Sequence, residues 1–247
     1  MMTFAQLLIL QIIAHLLVDF FFQSDLWTRH KRRYGLSSKV MYWHVLIVFI
    51  TSLLFSFQWK FIFSSLVISI VHLLIDGLKV KFGNIKIGRI KPFRKFTFFI
   101  DQFAHLFVIC LAVFIYTEFC SIVPIIPITI SKHHLIIILG YLICLKPTNI
   151  LIREIFNIYS IKLEKQPTED LLNAGKLIGN IERVLTLTLL LIGQYEAIGF
   201  IIAGKSILRY EGKKTSKTEY VLIGTLLSFG IAIIIGVAIP FLEKLIN

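Results

Sequence analysis

Long apolar blocks separated by short polar segments run from one end of the chain to the other. The blocks are continuous rather than striped, so they read as membrane spans, because a helix needs ~20 mostly apolar residues to cross the hydrocarbon. Eight spans are predicted, over residues 3–23, 41–58, 61–79, 97–116, 132–146, 177–194, 196–209 and 220–242. The fifth and seventh are short enough to be tilted, re-entrant or shielded by neighbours. Pro124 and Pro127 mark the turn between the fourth and fifth spans, and Pro147 closes the fifth. The predicted fold class is therefore all-α, a polytopic transmembrane helical bundle. The first block lacks a basic leader and a small-residue cleavage site, and it carries His15 and Asp19 within its apolar run, so it reads as a retained span.

Composition sharpens this picture. The 247 residues are 57% hydrophobic and only 16% charged, against roughly a quarter charged in soluble domains, which leaves no room for a sizeable soluble domain. A net charge of +12 would suit nucleic acid, but the basic residues crowd the short segments between apolar blocks. That placement marks cytoplasmic loops facing anionic lipid and argues against a nucleic-acid partner. The basic segments are 24–40, 79–95 and 210–219, and even numbers of spans separate them, whereas the connections 59–60 and 117–131 are nearly uncharged. The expected location is the inner (cytoplasmic) membrane, multi-pass, with the basic loops cytoplasmic and both termini outside.

Three regions follow: a His/Asp-bearing bundle at 1–146, a cytoplasmic connecting segment at 147–176 and a three-span region at 177–247. The mixed charges of the connecting segment predict a surface helix and a loop around Pro167. Cys110, Cys120 and Cys144 are scattered without metal-like spacing and read as packing residues.

The chemistry lies in the first four spans. His15, Asp19 and Gln23 follow one another in HLLVDFFFQ, His44 opens the second span, His72 and Asp76 close the third in HLLID, and Asp101 and His105 open the fourth in DQFAH. Three His–Asp pairs have a spacing of four, so each pair shares a helix face. In the predicted topology all seven ionisable groups fall near one membrane face. Ionisable residues in a span are costly and mark function by default. Neutral imidazoles with carboxylates form the mixed N/O donor set that zinc, manganese or iron uses, zinc being the first expectation. The plainer alternative is that each pair fastens helices together. His30, His133 and His134 lie in loops or at a span end, where solvation accounts for them.

The order H-L-x-x-D-F-x-x-Q, a lone His opening the next span, H-x-x-x-D-x-x-K and then D-Q-x-x-H resembles the bacterial membrane proteins grouped as domain of unknown function 3307. The resemblance covers about residues 3–116 and implies His15, Asp19, Gln23, His44, His72, Asp76, Lys79, Asp101, Gln102 and His105 as hallmark positions. It implies no reaction, since that family is uncharacterised. Longer members have a C-terminal extension similar to GKLIGNIER and GTLLS here.

In that second half Glu182, Arg183, Lys205, Arg209 and Glu219 share one predicted depth. One reading pairs Glu182 with Lys205 or Arg183 with Glu219, with Gly175, Gly179, Gly193, Gly199 and Gly204 permitting close helix approach. The functional reading is that Arg183, Lys205 and Arg209, with Gln23, bind an anionic headgroup or phosphate. Thr225 and Ser228 are expected to bond within the helices rather than to act as nucleophiles.

The leading expectation is a membrane-embedded, metal-dependent hydrolase with a cytoplasm-facing site, acting on a phosphorylated or lipidic substrate. His15, His44, His72 and His105 with Asp19, Asp76 and Asp101 would hold a divalent metal that acidifies a bound water, and one of the three aspartates would act as general base. The alternatives are an ion- or proton-coupled transporter or channel and a non-catalytic membrane partner or sensor docking through 147–176. Against transport, the outer halves of the spans read as plain Leu, Ile, Val and Phe.

Overall fold

The computed structural model describes residues 2–84, 91–122, 124–125, 131–161, 169–210 and 216–246, with backbone alone at 82–84, 91–94, 169–172, 208–210 and 216–218. Among the described residues the chain is all-helical, without strands, and it divides into two compact units, Met1–Leu135 and Ile136–Asn247.

The first unit is built on α1 (Phe4–Leu16), α3 (Lys39–Ser56), α4 (Ile62–Asn84) and α5 (Lys91–Phe119). Each packs on two others in the cyclic order α1, α3, α4, α5 and back to α1, giving a four-helix bundle. Thr3 and Gln6 begin α1 with a reciprocal capping box, satisfying two backbone donors that a helix start otherwise leaves open. The helix runs on into a wider π-type turn, Leu17–Phe22, which carries Asp19. Such turns are rare insertions that re-aim side chains, frequently at functional sites. The short helix α2 (Asp25–Tyr34) follows, capped by Ser24, whose hydroxyl accepts from the Trp27 N–H. Gly35 ends it at φ +56°, a left-handed conformation that suits a residue without Cβ.

The bundle buries its polar side chains among apolar ones and turns an apolar surface outward. Leu54, Phe63, Leu74, Phe103 and Phe107 are each more than half exposed, whereas His44, Ser65, His72 and His105 are buried to within 3%. Surrounded by water this would be a liability, but in lipid it is the stable arrangement, because polar groups find partners only among neighbouring helices.

Five helical segments are long and apolar enough to cross a membrane: Phe4–Phe22, Lys39–Ser56, Trp59–Lys81, Lys95–Phe119 and Glu219–Ile246. They correspond to the expected first four spans and the eighth. A sixth is formed by α6 (Lys132–Cys144) and α7 (Lys146–Ile158) if that pair, bent by 45°, is one span. The sixth and seventh expected spans fall on α8 (Glu169–Leu191) and α9 (Tyr195–Tyr210). Of these, α8 carries Lys176, Glu182 and Arg183 in its apolar stretch, and α9 has only 16 residues.

Two further expectations change. The span halves that read as plain Leu, Ile, Val and Phe also bury polar side chains between the helices. Inside, buried Ser52 Oγ donates to Gln11 Oε1 at 2.7 Å and lies 3.2 Å from Ser65 Oγ, while Gln11 Nε2 donates to the Ser52 carbonyl. Nearer the far end, Tyr116 donates to Gln58 Oε1 at 2.8 Å, and Ser56 bonds the Leu53 and Gln58 carbonyls. Secondly, the chain does not stop at Pro147. It bends there and continues as α7, because Pro is tolerated in a first helical turn and other donors replace its missing N–H. Thr148 Oγ1 donates to the Ile143 carbonyl at 2.6 Å, and Arg183 Nε donates to that of Cys144.

In the second unit α8 packs mainly on α10 (Ser216–Ile246). The close approaches occur at Gly140, where a Cβ would meet Ile239 and Ile235 at 3.1 and 3.3 Å, and at Gly236, against Leu190 at 3.0 Å. Gly175, Gly199 and Gly204 instead face open space, and Gly193 serves a turn at φ +75°.

Candidate functional site

At the end of the first unit where α1 finishes and α3 begins, the four long helices bring seven predicted residues together. His15, Asp19, His44, His72, Asp76, Asp101 and His105 contact one another inside the bundle. His72 lies at the centre. Its Nε2 stands 3.0 Å from His44 Nε2 and 3.5 Å from Asp19 Oδ1, and Asp19 Oδ1 is 3.4 Å from His44 Nε2. Asp76 Oδ2 lies 3.9 Å from both of those imidazole nitrogens. The His72 and His105 rings stack with centroids 4.0 Å apart, which carries the contacts across to Asp101.

Only part of this follows from helix periodicity. Spacing by four accounts for His15 with Asp19 at 3.9 Å and Asp101 with His105 at 3.6 Å. The closest contacts, His44 to His72 and Asp19 to His44, run between helices.

Two lysines complete the cluster. Lys79 Nζ donates to Asp101 Oδ2 at 2.6 Å, beside Gln102 Nε2, which donates to the same oxygen. Both were hallmark positions. Lys31 had been counted only among the basic loop residues. It lies on α2, is 5% exposed, and drives its ammonium onto Asp76 Oδ2 at 2.5 Å. Lys31 is the one buried side chain of α2, a turn beyond the half-buried Trp27. Among the described residues, three carboxylates against two ammonium groups leave one negative charge on the cluster when the imidazoles are neutral.

Not every buried polar atom is satisfied. Among the described residues His15 Nε2, Asp19 Oδ1, Asp101 Oδ1 and His105 Nε2 have no hydrogen-bond partner, which is rare for buried polar atoms in folded proteins. Three sets of ligand-type atoms lie within 4.8 Å of one another: His15, Asp19, His72; His44, His72, Asp76; and Asp76, Asp101, His105. Next to them is a cavity of about 20 Å³ lined by Gln11, His15, Ser52, His72 and His105, large enough for a single water.

Gln23 stands apart from the cluster, donating instead to Thr28 Oγ1. In the second unit Arg183 is 1% exposed, and four neutral acceptors take its donors: the Cys144 carbonyl, Ser228 Oγ, Asn149 Oδ1 and Asn180 Oδ1. Lys205 is ion-paired with Glu182. Arg209 lies outside the residues whose side chains are described. Thr225 bonds back to the Val221 carbonyl and Ser228 accepts from Arg183, as expected of hydroxyl residues in spans.

A family model described as "Protein of unknown function (DUF3307)" matches residues 7–137, more than half of the chain. The chain belongs to that family. The match takes in every residue of the His/Asp cluster and both lysines. No curated protein and no solved structure matches. The DUF3307 region closely follows the first compact unit, Met1–Leu135, so the part of the chain that defines the family is also the part that builds the site.

Proposed function

We propose that this DUF3307 member is a multi-pass protein of the inner membrane, with its basic loops cytoplasmic, and a metal-dependent hydrolase whose His/Asp site opens to the cytoplasm. One observation carries the reading: Asp19 Oδ1, His44 Nε2 and His72 Nε2 stand 3.0, 3.4 and 3.5 Å apart. Ligands ~2.0–2.1 Å from zinc at the corners of a tetrahedron are about 3.3 Å from one another. Three such protein ligands suffice for a catalytic zinc, and Asp76 Oδ2 lies 3.9 Å from both imidazole nitrogens. His15 Nδ1 lies 3.9 Å from the other Asp19 oxygen and belongs with Asp19 and His72 to a further set of ligand-type atoms. Asp19, His44 and His72 would hold a divalent ion, which when bound would supply an acidified water and Lewis-acid polarisation of the scissile group. The water oxygen bonds to the electrophile, the leaving oxygen receives a proton, and Asp76 or Asp101 takes up the proton that the water loses. The one uncompensated negative charge of the cluster also favours binding a cation.

The test is metal content. Protein purified in detergent without added metal should contain stoichiometric zinc, manganese or iron by inductively coupled plasma mass spectrometry, and a folded His72→Ala variant should lose it. Folded wild-type protein free of metal, even after zinc or manganese is supplied and excess removed, would sink the reading.

Transport has an observation of its own, the buried polar groups that run from the cluster through Gln11, Ser52 and Ser65 towards Gln58 and Tyr116. If the cluster relays protons along them, proteoliposomes with an internal pH dye should acidify under an imposed gradient, and Gln11→Leu should slow this by about tenfold, the effect of ~1.4 kcal/mol on a barrier. Wild-type liposomes no leakier than empty ones would dismiss it.

A further inference from the structure

The cluster contains a second set of converging ligand atoms that a single ion does not use. Asp101 Oδ1 and His105 Nε2 lie 3.6 Å apart, and Asp76 Oδ1 lies 3.8 Å from the same His105 nitrogen. All three side chains are at least nine-tenths buried. Asp101 Oδ1 and His105 Nε2 lack any hydrogen-bond partner, although Lys79 and Gln102 both reach the other Asp101 oxygen. These ligand-type atoms therefore converge without hydrogen-bonding one another.

Asp76 links this set to the first. Its Oδ2 is 3.9 Å from His44 Nε2 and His72 Nε2, and its Oδ1 turns to His105. Stacking of the His72 and His105 rings, inclined by only 16°, holds the two sets side by side. A carboxylate with one oxygen towards each of two ligand sets is placed as a bridge, with Oδ2 shared between the first set and the Lys31 ammonium, and metal pairs in hydrolases of phosphate esters stand ~3.5–4 Å apart.

We propose that the site is a two-cation centre, with one divalent ion among Asp19, His44 and His72, a second among Asp76, Asp101 and His105, and Asp76 bridging them. This rests on the metal-dependent reading above and deepens it. It also selects a substrate class. Among the described residues three carboxylates and two lysines sum to −1, so two divalent ions would bring the centre to +3, which suits a phosphate monoester dianion better than a neutral carboxyl ester. Hydrolysis then places the water oxygen on phosphorus, breaks the bond from phosphorus to the ester oxygen, and returns a proton to the departing alcohol. With Asp76 and Asp101 as ligands, neither would be left as a separate base, and the bound ions would supply the acidity of the attacking water.

Stoichiometry separates the outcomes. Wild-type protein equilibrated with manganese and freed of excess should retain two ions per chain, and the isosteric Asp101→Asn variant and His105→Ala should each retain one. The wild-type protein offers a check that needs no variant: electron paramagnetic resonance should show a spin-coupled manganese pair. One ion per chain with an uncoupled signal would overturn the two-cation centre while leaving the single-metal reading intact, and no bound ion would overturn both. Phosphate release from p-nitrophenyl phosphate or from phosphatidic acid in mixed micelles supports the substrate class, and the two arms tell a soluble source from a lipid one. Release from neither, with turnover of a neutral ester such as p-nitrophenyl butyrate, would overturn it.

Discussion

Asp76→Asn is expected to destabilise the first unit by about 3–5 kcal/mol, and Lys31→Met added to it should recover most of that loss. The reason is what remains behind. In the single variant the Lys31 ammonium, 5% exposed and 2.5 Å from its carboxylate, keeps its burial and loses its counter-charge. Breaking a buried pair by removing one partner is far costlier than replacing both with groups of similar volume. The double variant removes one positive and one negative charge together and leaves the net charge of the cluster unchanged. Reversible unfolding in mixed micelles, read by circular dichroism for the wild type, both single variants and the double variant, supplies the cycle. A coupling below about 0.5 kcal/mol, within the ordinary scatter of additivity, would show that Lys31 does not neutralise Asp76. The result also bears on function, because α2 supplies the only cation from outside the four long helices that the described residues place on a cluster carboxylate.

The second large effect is expected at Arg183. Arg183→Leu should destabilise the second unit by at least about 3 kcal/mol, because several buried acceptors lose a charged donor at once and each unsatisfied group costs ~1–3 kcal/mol. Arg183→Lys should restore less than half. A single ammonium cannot reach the Cys144 carbonyl, Ser228, Asn149 and Asn180 together, as the planar guanidinium does. Unfolding midpoints of the two variants test this. If Arg183 instead binds a phosphorylated substrate, stability should barely move while KM rises, and the two roles are thereby distinguished. The geometry favours the fastening role: Arg183 holds the carbonyl that the bend at Pro147 frees.

Much of the site was legible because helix periodicity is a strong rule. HLLVD, HLLID and DQFAH each place a His and an Asp one turn apart, and His44 stood out as a lone imidazole at the start of an apolar block. Lys79 was visible through the family resemblance. Lys31 was not, because its neighbours Arg29, Arg32 and Arg33 made it one more basic loop residue. Gln11, Ser52 and Ser65 were also passed over, since isolated small polar residues in a span ordinarily bond their own helix.

From the amino-acid order alone came the all-helical class, the long apolar segments at the two ends of the chain, and the pairing of His and Asp within each helix. All of these depend on local chemistry, on how apolar a stretch is and on which positions share a helical face. Tertiary structure decided which faces meet. It set His44 against His72 and Asp19, turned the two Asp76 oxygens to different imidazoles, brought Lys31 in from α2, and gave Arg183 to a bent helix rather than to Glu219. Those contacts join residues far apart in sequence, and no periodicity encodes them. They arise because, where lipid surrounds a bundle, buried polar groups can be satisfied only by other helices.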